Sequence, residues 1–295
     1  MKKDNSLESL QLIIWPCSVE IYEDNTNNLE KIINDFKNWS EKIYNWLISW
    51  KIWLRWWCWK PRTTPWWFEW YWEKAVDLMS DIQEKYWIIC ITEIWTINHF
   101  SYCLKKWLRT FWIWARTSSS PFFMEELINF MKKHKEYNCQ DIIIWVKNPI
   151  WFDIDLWNWN IKRLKDFWFN IFPIHRWCNY DKTLTYEYKY NRNWNHLRNL
   201  PMLFSESEEI KEKLNIMNDN YLFFEDYSHQ LWNRDLIFSL LKSLKDSWSL
   251  IYDEKLQKWI KKDVYVMIEV HQDPEIALTD KHQQLSTQDI IDLIS

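Results

Sequence analysis

A (β/α)8 barrel is the fold that this 295-residue sequence predicts. Three observations predict it. Eight short apolar runs of β-type residues recur along the chain, each followed by polar residues and most by a helix-like stretch. That alternation is the pattern of parallel strands wrapped by helices. Charged and potential metal-ligating residues also fall just after the runs, where the C-terminal strand ends of such a barrel form its functional face. A doubly wound open sheet is the runner-up, disfavoured because those residues come from nearly every strand end rather than from one crevice.

In order, the first strand is expected at Leu10–Trp15, leading into Pro16-Cys17-Ser18, and the second at Ile52–Trp57, leading into a basic segment. The third, Ile88–Ile94, holds Thr92-Glu93, and the fourth, Thr110–Ala115, ends at Arg116. The fifth, Ile142–Val146, ends at Lys147, and the sixth, Asn170–Ile174, at His175-Arg176. The seventh, Tyr221–Phe224, precedes Glu225-Asp226-Tyr227-Ser228-His229, and the eighth, Val264–Ile268, precedes Glu269-Val270-His271. Amphipathic helices are expected at Asn28–Asn38, Glu73–Tyr86, Phe123–His134 and Asp235–Lys245, where apolar residues recur at helical spacing. Ser286 and Gln288 precede an apolar run that reads as a short closing helix. The irregular segment 178–220, with a helical piece near Ser207–Leu214, is the expected lid. No linker composition interrupts the chain, so one catalytic domain spans 1–295.

A net charge of −4 gives no electrostatic case for nucleic acid or an anionic membrane as partner. The apolar run Leu12–Trp15 is too short for a signal peptide or a membrane span. Six cysteines without paired or zinc-ribbon spacing suit reduced thiols, and a cytoplasmic location is expected.

One feature of the composition is abnormal. There is no glycine and there are 27 tryptophans, whereas a globular chain uses glycine at about 7%. Tryptophan stands where glycine is expected: Trp15 before Pro-Cys, Trp56-Trp57 at a strand end, Trp66-Trp67 after a proline, and Trp114 before Ala-Arg. The hypothesis is that UGA codons read here as Trp are inserted as Gly in the source. A non-glycine residue in a left-handed turn costs roughly 1–2 kcal/mol. Ten such sites would use up a typical total stability of roughly 5–15 kcal/mol. A truly Trp-rich module binding sugars or membrane interfaces is the competing reading, but the tryptophans follow neither helical nor strand periodicity.

Two constellations carry chemistry. The first is cationic: Arg55, Lys60 and Arg62 within eight residues beside Thr63, then Arg116, Lys147 and Arg176. Cations at barrel strand ends must be paired or must bind an anion. Six of them, with few carboxylates expected nearby, point to a substrate carrying several negative charges. The second is Cys17, His229, Glu269 and Asp280, a donor set suited to a borderline divalent ion. Their strands, the first, seventh and eighth, are contiguous once a barrel closes.

With glycine restored, the sequence carries G-P-C-S-V-E at 15–20, L-R-G-G-C-W-K-P-R-T-T-P at 54–65 and F-W-I-G-A-R-T at 111–117. V-K-N-P at 146–149, I-H-R-G at 174–177, D-Y-S-H at 226–229, I-E-V-H-Q-D-P at 268–274 and A-L-T-D at 277–280 follow. Over nearly the whole chain this resembles class I 3-deoxy-D-arabino-heptulosonate 7-phosphate (DAHP) synthase. Trp59, Trp112, Trp157 and Trp194 match positions where relatives carry Trp and are kept as native.

The resemblance implies a transferase of the shikimate pathway that condenses phosphoenolpyruvate (PEP) with erythrose 4-phosphate and releases phosphate. It implies that Arg116 and Arg176, with the Ala115 N–H, grip the PEP phosphate. Arg55, Lys60 and Lys147 are the implied catalytic cations on the PEP carboxylate, with Lys60 also placed for proton transfer, and Arg62 and Thr63 bind the sugar phosphate. Cys17, His229, Glu269 and Asp280 are the implied ligands of a divalent ion, Mn²⁺ first and Fe²⁺, Zn²⁺ or Co²⁺ as alternatives. That ion would polarise the aldehyde. Asp226 and Glu93 are implied only as neighbours of these groups. The enzyme that makes 3-deoxy-D-manno-octulosonate 8-phosphate from arabinose 5-phosphate is the nearest alternative, but its usual K-A-N-R-S/T stands here as Lys60-Pro61-Arg62-Thr63. Tyr227, Cys178 and the Tyr180–Asn195 stretch depart from the family pattern. A homo-oligomer, dimer or tetramer, is expected. With no regulatory domain visible before Ser295, feedback control is expected from a separate partner such as a chorismate mutase, if from anywhere.

Overall fold

The computed structural model describes residues 10–39, 41, 45, 52–56, 58, 71–149, 153–175, 214, 224–231, 233–247, 251–253, 258–260 and 264–294. Strands β1 (Leu10–Trp15), β2 (Ile52–Trp56), β3 (Cys90–Ile94), β4 (Thr110–Ile113), β5 (Ile143–Lys147), β6 (Asn170–His175), β7 (Phe224–Asp226) and β10 (Val264–His271) pair in that order, all parallel. The ring then closes, because Leu10–Trp15 run in register beside Val264–Glu269. This closed eight-stranded parallel barrel excludes the open sheet. A small antiparallel hairpin, β8 (Ile251–Asp253) with β9 (Lys258–Ile260), precedes the last barrel strand. Beyond it, β11 (Leu285–Ser286) returns alongside Val270 and His271.

Helices wrap the barrel: α1 (Asn28–Trp39), α2 (Trp72–Tyr86), α3 (Ile97–Lys105), α4 (Ala115–Ser118), α5 (Pro121–Lys133), α6 (Ile154–Asp166), α7 (Tyr227–Leu231), α8 (Arg234–Ser247) and α9 (Thr287–Ile294). Each long helix buries one stripe, as Leu29, Ile32, Ile33 and Phe36 do on α1, and Phe123, Met124, Leu127, Ile128 and Met131 do on α5. Local polar groups start them. Asp153 accepts the Leu156 N–H at 2.9 Å ahead of α6, and Thr96 accepts the His99 N–H ahead of α3. The closing helix α9 begins with a reciprocal pair, Ser286 Oγ accepting from the Asp289 N–H and Asp289 Oδ2 accepting from the Ser286 N–H. Among the described residues no helix is long and apolar enough to cross a membrane.

Several boundaries differ from the sequence reading in a way that matters. β4 stops at Ile113, so Ala115 and Arg116 belong to the single turn α4. Lys147 and Asp226 lie inside strands, and Glu269 lies two residues before the end of β10. β5 and β7 end on their charged residues, whereas β10 continues past Glu269, because these side chains turn inward to polar partners while the backbone keeps its ladder. The expected lid 178–220 and its helical piece fall outside the described residues apart from Leu214.

Two apolar cores result. Between barrel and helices lies a large layer that includes Leu54, Val76, Leu104, Ile113, Leu127, Trp157 and Ile268. Inside the barrel lie Ile13, Ile91, Trp112, Trp145, Ile174, Phe224 and Met267. Burial pushes the thiol of Cys58 up to about 12 and those of Cys90 and Cys103 well above the usual range, as expected for inert core cysteines.

Three tryptophans occupy the left-handed backbone region: Trp87 (φ 56°), Trp107 (φ 63°) and Trp168 (φ 71°). Each follows the end of a helix. At Trp107 the pattern is complete, with Trp107 N–H to Leu104 O and Leu108 N–H to Cys103 O, both 3.1 Å. Trp168 and Phe169 repeat it onto Lys165 and Leu164. This is the helix-terminating arrangement in which glycine normally takes the left-handed position, because a Cβ is crowded there. Their rings are 81%, 75% and 71% exposed, so they recover little by burial. Trp157, in contrast, is buried and donates its indole N–H to Val146 O at 3.1 Å. Trp168→Gly is therefore expected to raise stability by about 1–2 kcal/mol, whereas Trp112→Ala should lower it by about 3–5 kcal/mol through a cavity. The shift in denaturant midpoint checks both signs.

Candidate active site

The barrel interior changes character one step toward its C-terminal end. Because side chains alternate along a strand, residues two further on share the inward face. From Ile91, Trp112, Trp145, Phe224 and Met267 that step reaches Glu93, Trp114, Lys147, Asp226 and Glu269. Arg55, in register with Ile91, joins them from β2. An apolar floor thus carries a polar layer at the end where barrels present their sites.

The charges in this layer are paired. Lys147 Nζ donates to Asp226 Oδ2 at 3.0 Å, and Arg55 Nη2 lies 3.8 Å from Glu93 Oε2, all four side chains being 0% exposed. Both cations also sit over the Trp112 ring, Arg55 at 4.2 Å and Lys147 at 4.5 Å from its centroid. Burial pushes the Arg55 pKa down to about 10, opposed by the negative fields of Glu93, Asp226, Glu269 and Cys17. A cationic site poor in carboxylates was expected, and the structure corrects that. Glu93 and Asp226 are direct partners of Arg55 and Lys147, since a cation buried this completely needs a counter-charge before any substrate arrives.

Beside the pairs, Cys17, Glu269 and Asp280 bring one donor atom each to within 4.8 Å of one another. The Cys17 thiol lies 3.0 Å from Asp280 Oδ2. Cys17 and Glu269 are buried, and Asp280 is partly exposed. Asp280 itself adopts φ 47°, ψ 31°, a left-handed conformation that Asp tolerates better than most residues, at the head of the 3-10 turn Lys281–Gln283. A soft sulfur with two hard carboxylate oxygens matches a borderline divalent ion, so the residues fit the implied metal. His229 falls in α7, the turn directly after β7, and the neighbouring Ser228 Oγ accepts the Glu269 N–H at 2.7 Å.

The loops that carry these donors are tied together by Glu20. Its carboxylate accepts from Ser18 Oγ at 3.2 Å, from the Leu278 N–H at 2.9 Å and lies 3.2 Å from His271 Nε2. The loop after β1, the end of β10 and the segment before Asp280 therefore share one buried acceptor.

Of the expected site residues, Cys17, Arg55, Lys147, Glu269 and Asp280 converge. Ala115 is buried and packs with Cys17 and Trp114, and Arg116 is exposed with its guanidinium over the Trp114 ring at 4.2 Å. Lys60, Arg62, Thr63 and Arg176 lie outside the described residues. Glu20, His271, Gln283 and Gln284 were not singled out. Glu20 and His271 stood inside the quoted motifs at 15–20 and 268–274, whereas Gln283 and Gln284 were marked only by lying three and four residues after Asp280.

The sequence matches no protein-family model and no curated protein. Its fold does have solved relatives. A phospho-2-dehydro-3-deoxyheptonate aldolase (DAHP synthase) from Thermotoga maritima superposes over 97% of this chain and 67% of its own, with TM-score 0.62 and 18% identity. A truncated form of the Thermotoga maritima 3-deoxy-D-arabino-heptulosonate 7-phosphate synthase covers 97% of this chain and 84% of its own, with TM-score 0.57 and 16% identity. The chain therefore has a DAHP-synthase-like barrel. At such identities the likeness establishes the fold alone.

Lys147→Met leaves Asp226 as a buried carboxylate without its ammonium partner, and a loss of about 3–5 kcal/mol is expected. Adding Asp226→Leu should recover much of it, a coupling that a double-mutant cycle in denaturant reads directly.

Proposed function

We propose that this chain is a metal-dependent DAHP synthase, joining phosphoenolpyruvate to erythrose 4-phosphate with release of phosphate. The observation that carries the reading is the convergence of Cys17, Glu269 and Asp280 beside Arg55 and Lys147 at the C-terminal barrel mouth. An enol phosphate with a carboxylate needs fixed cations, and an uncharged aldehyde needs an electrophile; this mouth offers the cations and a donor set that would hold a metal ion as the electrophile. A divalent ion held by Cys17, Glu269, Asp280 and, by the resemblance, His229 supplies Lewis acidity toward the aldehyde oxygen.

The chain's own cations do the rest. Arg55 and Lys147 stand over the Trp112 ring, paired with Glu93 and Asp226, and orient the PEP carboxylate. Arg116 reaches the phosphate from the exposed rim, with Arg176 assigned beside it by the resemblance. Lys60, Arg62 and Thr63 complete the set by the same resemblance, Lys60 near the reacting carbons and the other two on the sugar phosphate. The new carbon–carbon bond forms between PEP C3 and the aldehyde carbon. Water then adds at C2, and phosphate departs from the same carbon.

We propose also that many of the tryptophans are glycine in the native protein. Three of the five non-glycine residues found at positive φ among the described residues are Trp87, Trp107 and Trp168. A fourth tryptophan, Trp114, packs against Cys17 and lies under the guanidinium of Arg116, the cation assigned to the PEP phosphate. Peptide mass spectrometry of the natively translated protein should find glycine at Trp15, Trp56, Trp107, Trp114, Trp168 and Trp177, and tryptophan at Trp157. Tryptophan at Trp107 and Trp168 would reject the recoding.

The function is tested on a gene encoding glycine at those positions. Phosphate release from PEP is expected with erythrose 4-phosphate, abolished by EDTA, restored by Mn²⁺, and absent with arabinose 5-phosphate. Turnover with arabinose 5-phosphate instead would reassign the chain to the octulosonate synthase. No turnover with either sugar, from folded and metal-loaded protein, would reject catalysis of this kind.

A further inference from the structure

We propose that Gln283 and Gln284 are positioning residues for the metal centre, fixing where Glu269 and Cys17 present their donor atoms. This rests on the metal-dependent reading above and deepens it. Both glutamines are 1% exposed. They are placed by β11: Leu285 and Ser286 pair with Val270 and His271, so the two residues just before them pass alongside Glu269.

Each side chain has a distinct task. Gln283 donates Nε2–H to Glu269 Oε2 at 2.7 Å. That bond fixes the rotation of the carboxylate, and with it the position of the second oxygen relative to Cys17 and Asp280. Gln284 accepts the Cys17 N–H on Oε1 at 3.3 Å and donates Nε2–H to the Thr279 carbonyl at 2.6 Å. It bridges the loop carrying Cys17 to the residue before Asp280. Its orientation is forced, since turning the amide over would set donor against donor and acceptor against acceptor.

The choice of an amide follows from the charges nearby. A carboxylate at 283 would place a third negative group against Glu269 and Asp280, and a lysine would put a cation where the ion belongs. An amide donates without altering the charge and competes poorly as a ligand. Gln283 also keeps Oε1 buried with no hydrogen-bond partner among the described residues. Such an acceptor is costly, and a glutamine serving only packing would be better replaced by an apolar side chain.

The test is a Co²⁺ titration of the full chain as natively translated, following the thiolate-to-cobalt charge-transfer band that reports Cys17 as ligand. Cys17→Ser, which should lack the band, is the control. Gln283→Met keeps shape and removes the donor; it should bind Co²⁺ about 10–100-fold more weakly with the band retained. Gln284→Met should displace the band, because the Cys17 loop loses its tie, in a protein that still folds although its metal-free melting temperature falls as the Cys17 N–H and the Thr279 carbonyl lose their partner. If Gln283→Met does not fold, Gln283→Asn, which keeps an amide but cannot reach, carries the same expectation. Variants that titrate and absorb as the parent chain does would overturn the proposal. Failure of the parent chain to give a thiolate band would instead overturn the metal reading itself.

Discussion

Charge buried inside a closed barrel is the constraint that the rest of this structure answers. A lone guanidinium or ammonium in that interior would be prohibitively expensive, so each must arrive with a partner. Arg55 takes Glu93 from the next strand, and Lys147 takes Asp226 from the next strand but one. The face of Trp112 supports both cations. These contacts span β2, β3, β4, β5 and β7, so the polar layer can exist only when most of the ring is in place. The apolar residues two steps below hold those strands at the spacing that the pairs need.

How much of this was legible beforehand can be argued residue by residue. The period of strand and helix gave the barrel, because burying Leu, Ile and Val on alternating elements leaves few other architectures. Cys17, Glu269 and Asp280 could be placed at adjacent strand ends by counting strands alone. What stayed hidden was the pairing. A sequence shows Lys147 and Asp226 as two charges 79 positions apart, and only strand tilt and stagger decide that they meet. Strand ends were misjudged for the same reason. Charge normally marks the edge of a buried run, and Lys147 and Asp226 do close β5 and β7, but β10 carries Glu269 within it and runs on to His271.

The tryptophans show the opposite case, in which local sequence and backbone disagree. A helix followed by a turn back into a strand calls for a residue without a side chain, and the backbone at Trp87, Trp107 and Trp168 takes that shape regardless of the ring attached. At these three places local preference and global fold conflict, which is the observation behind the proposal that glycine stands there natively. The exceptions sharpen the point: Trp157 fills its site and satisfies its indole N–H, as a selected tryptophan does.

The seam between β1 and β10 joins the two ends of the chain, and the three convergent donors lie on either side of it. They come together only across a long stretch of chain, Cys17 and Asp280 being 263 positions apart. An ion bound there would act as a clasp on the ring, adding stability that grows with the logarithm of its concentration over its dissociation constant. Occupancy of the centre would then report closure of the ring, since a barrel without β10 beside β1 would have neither a closed wall nor a place to hold the ion.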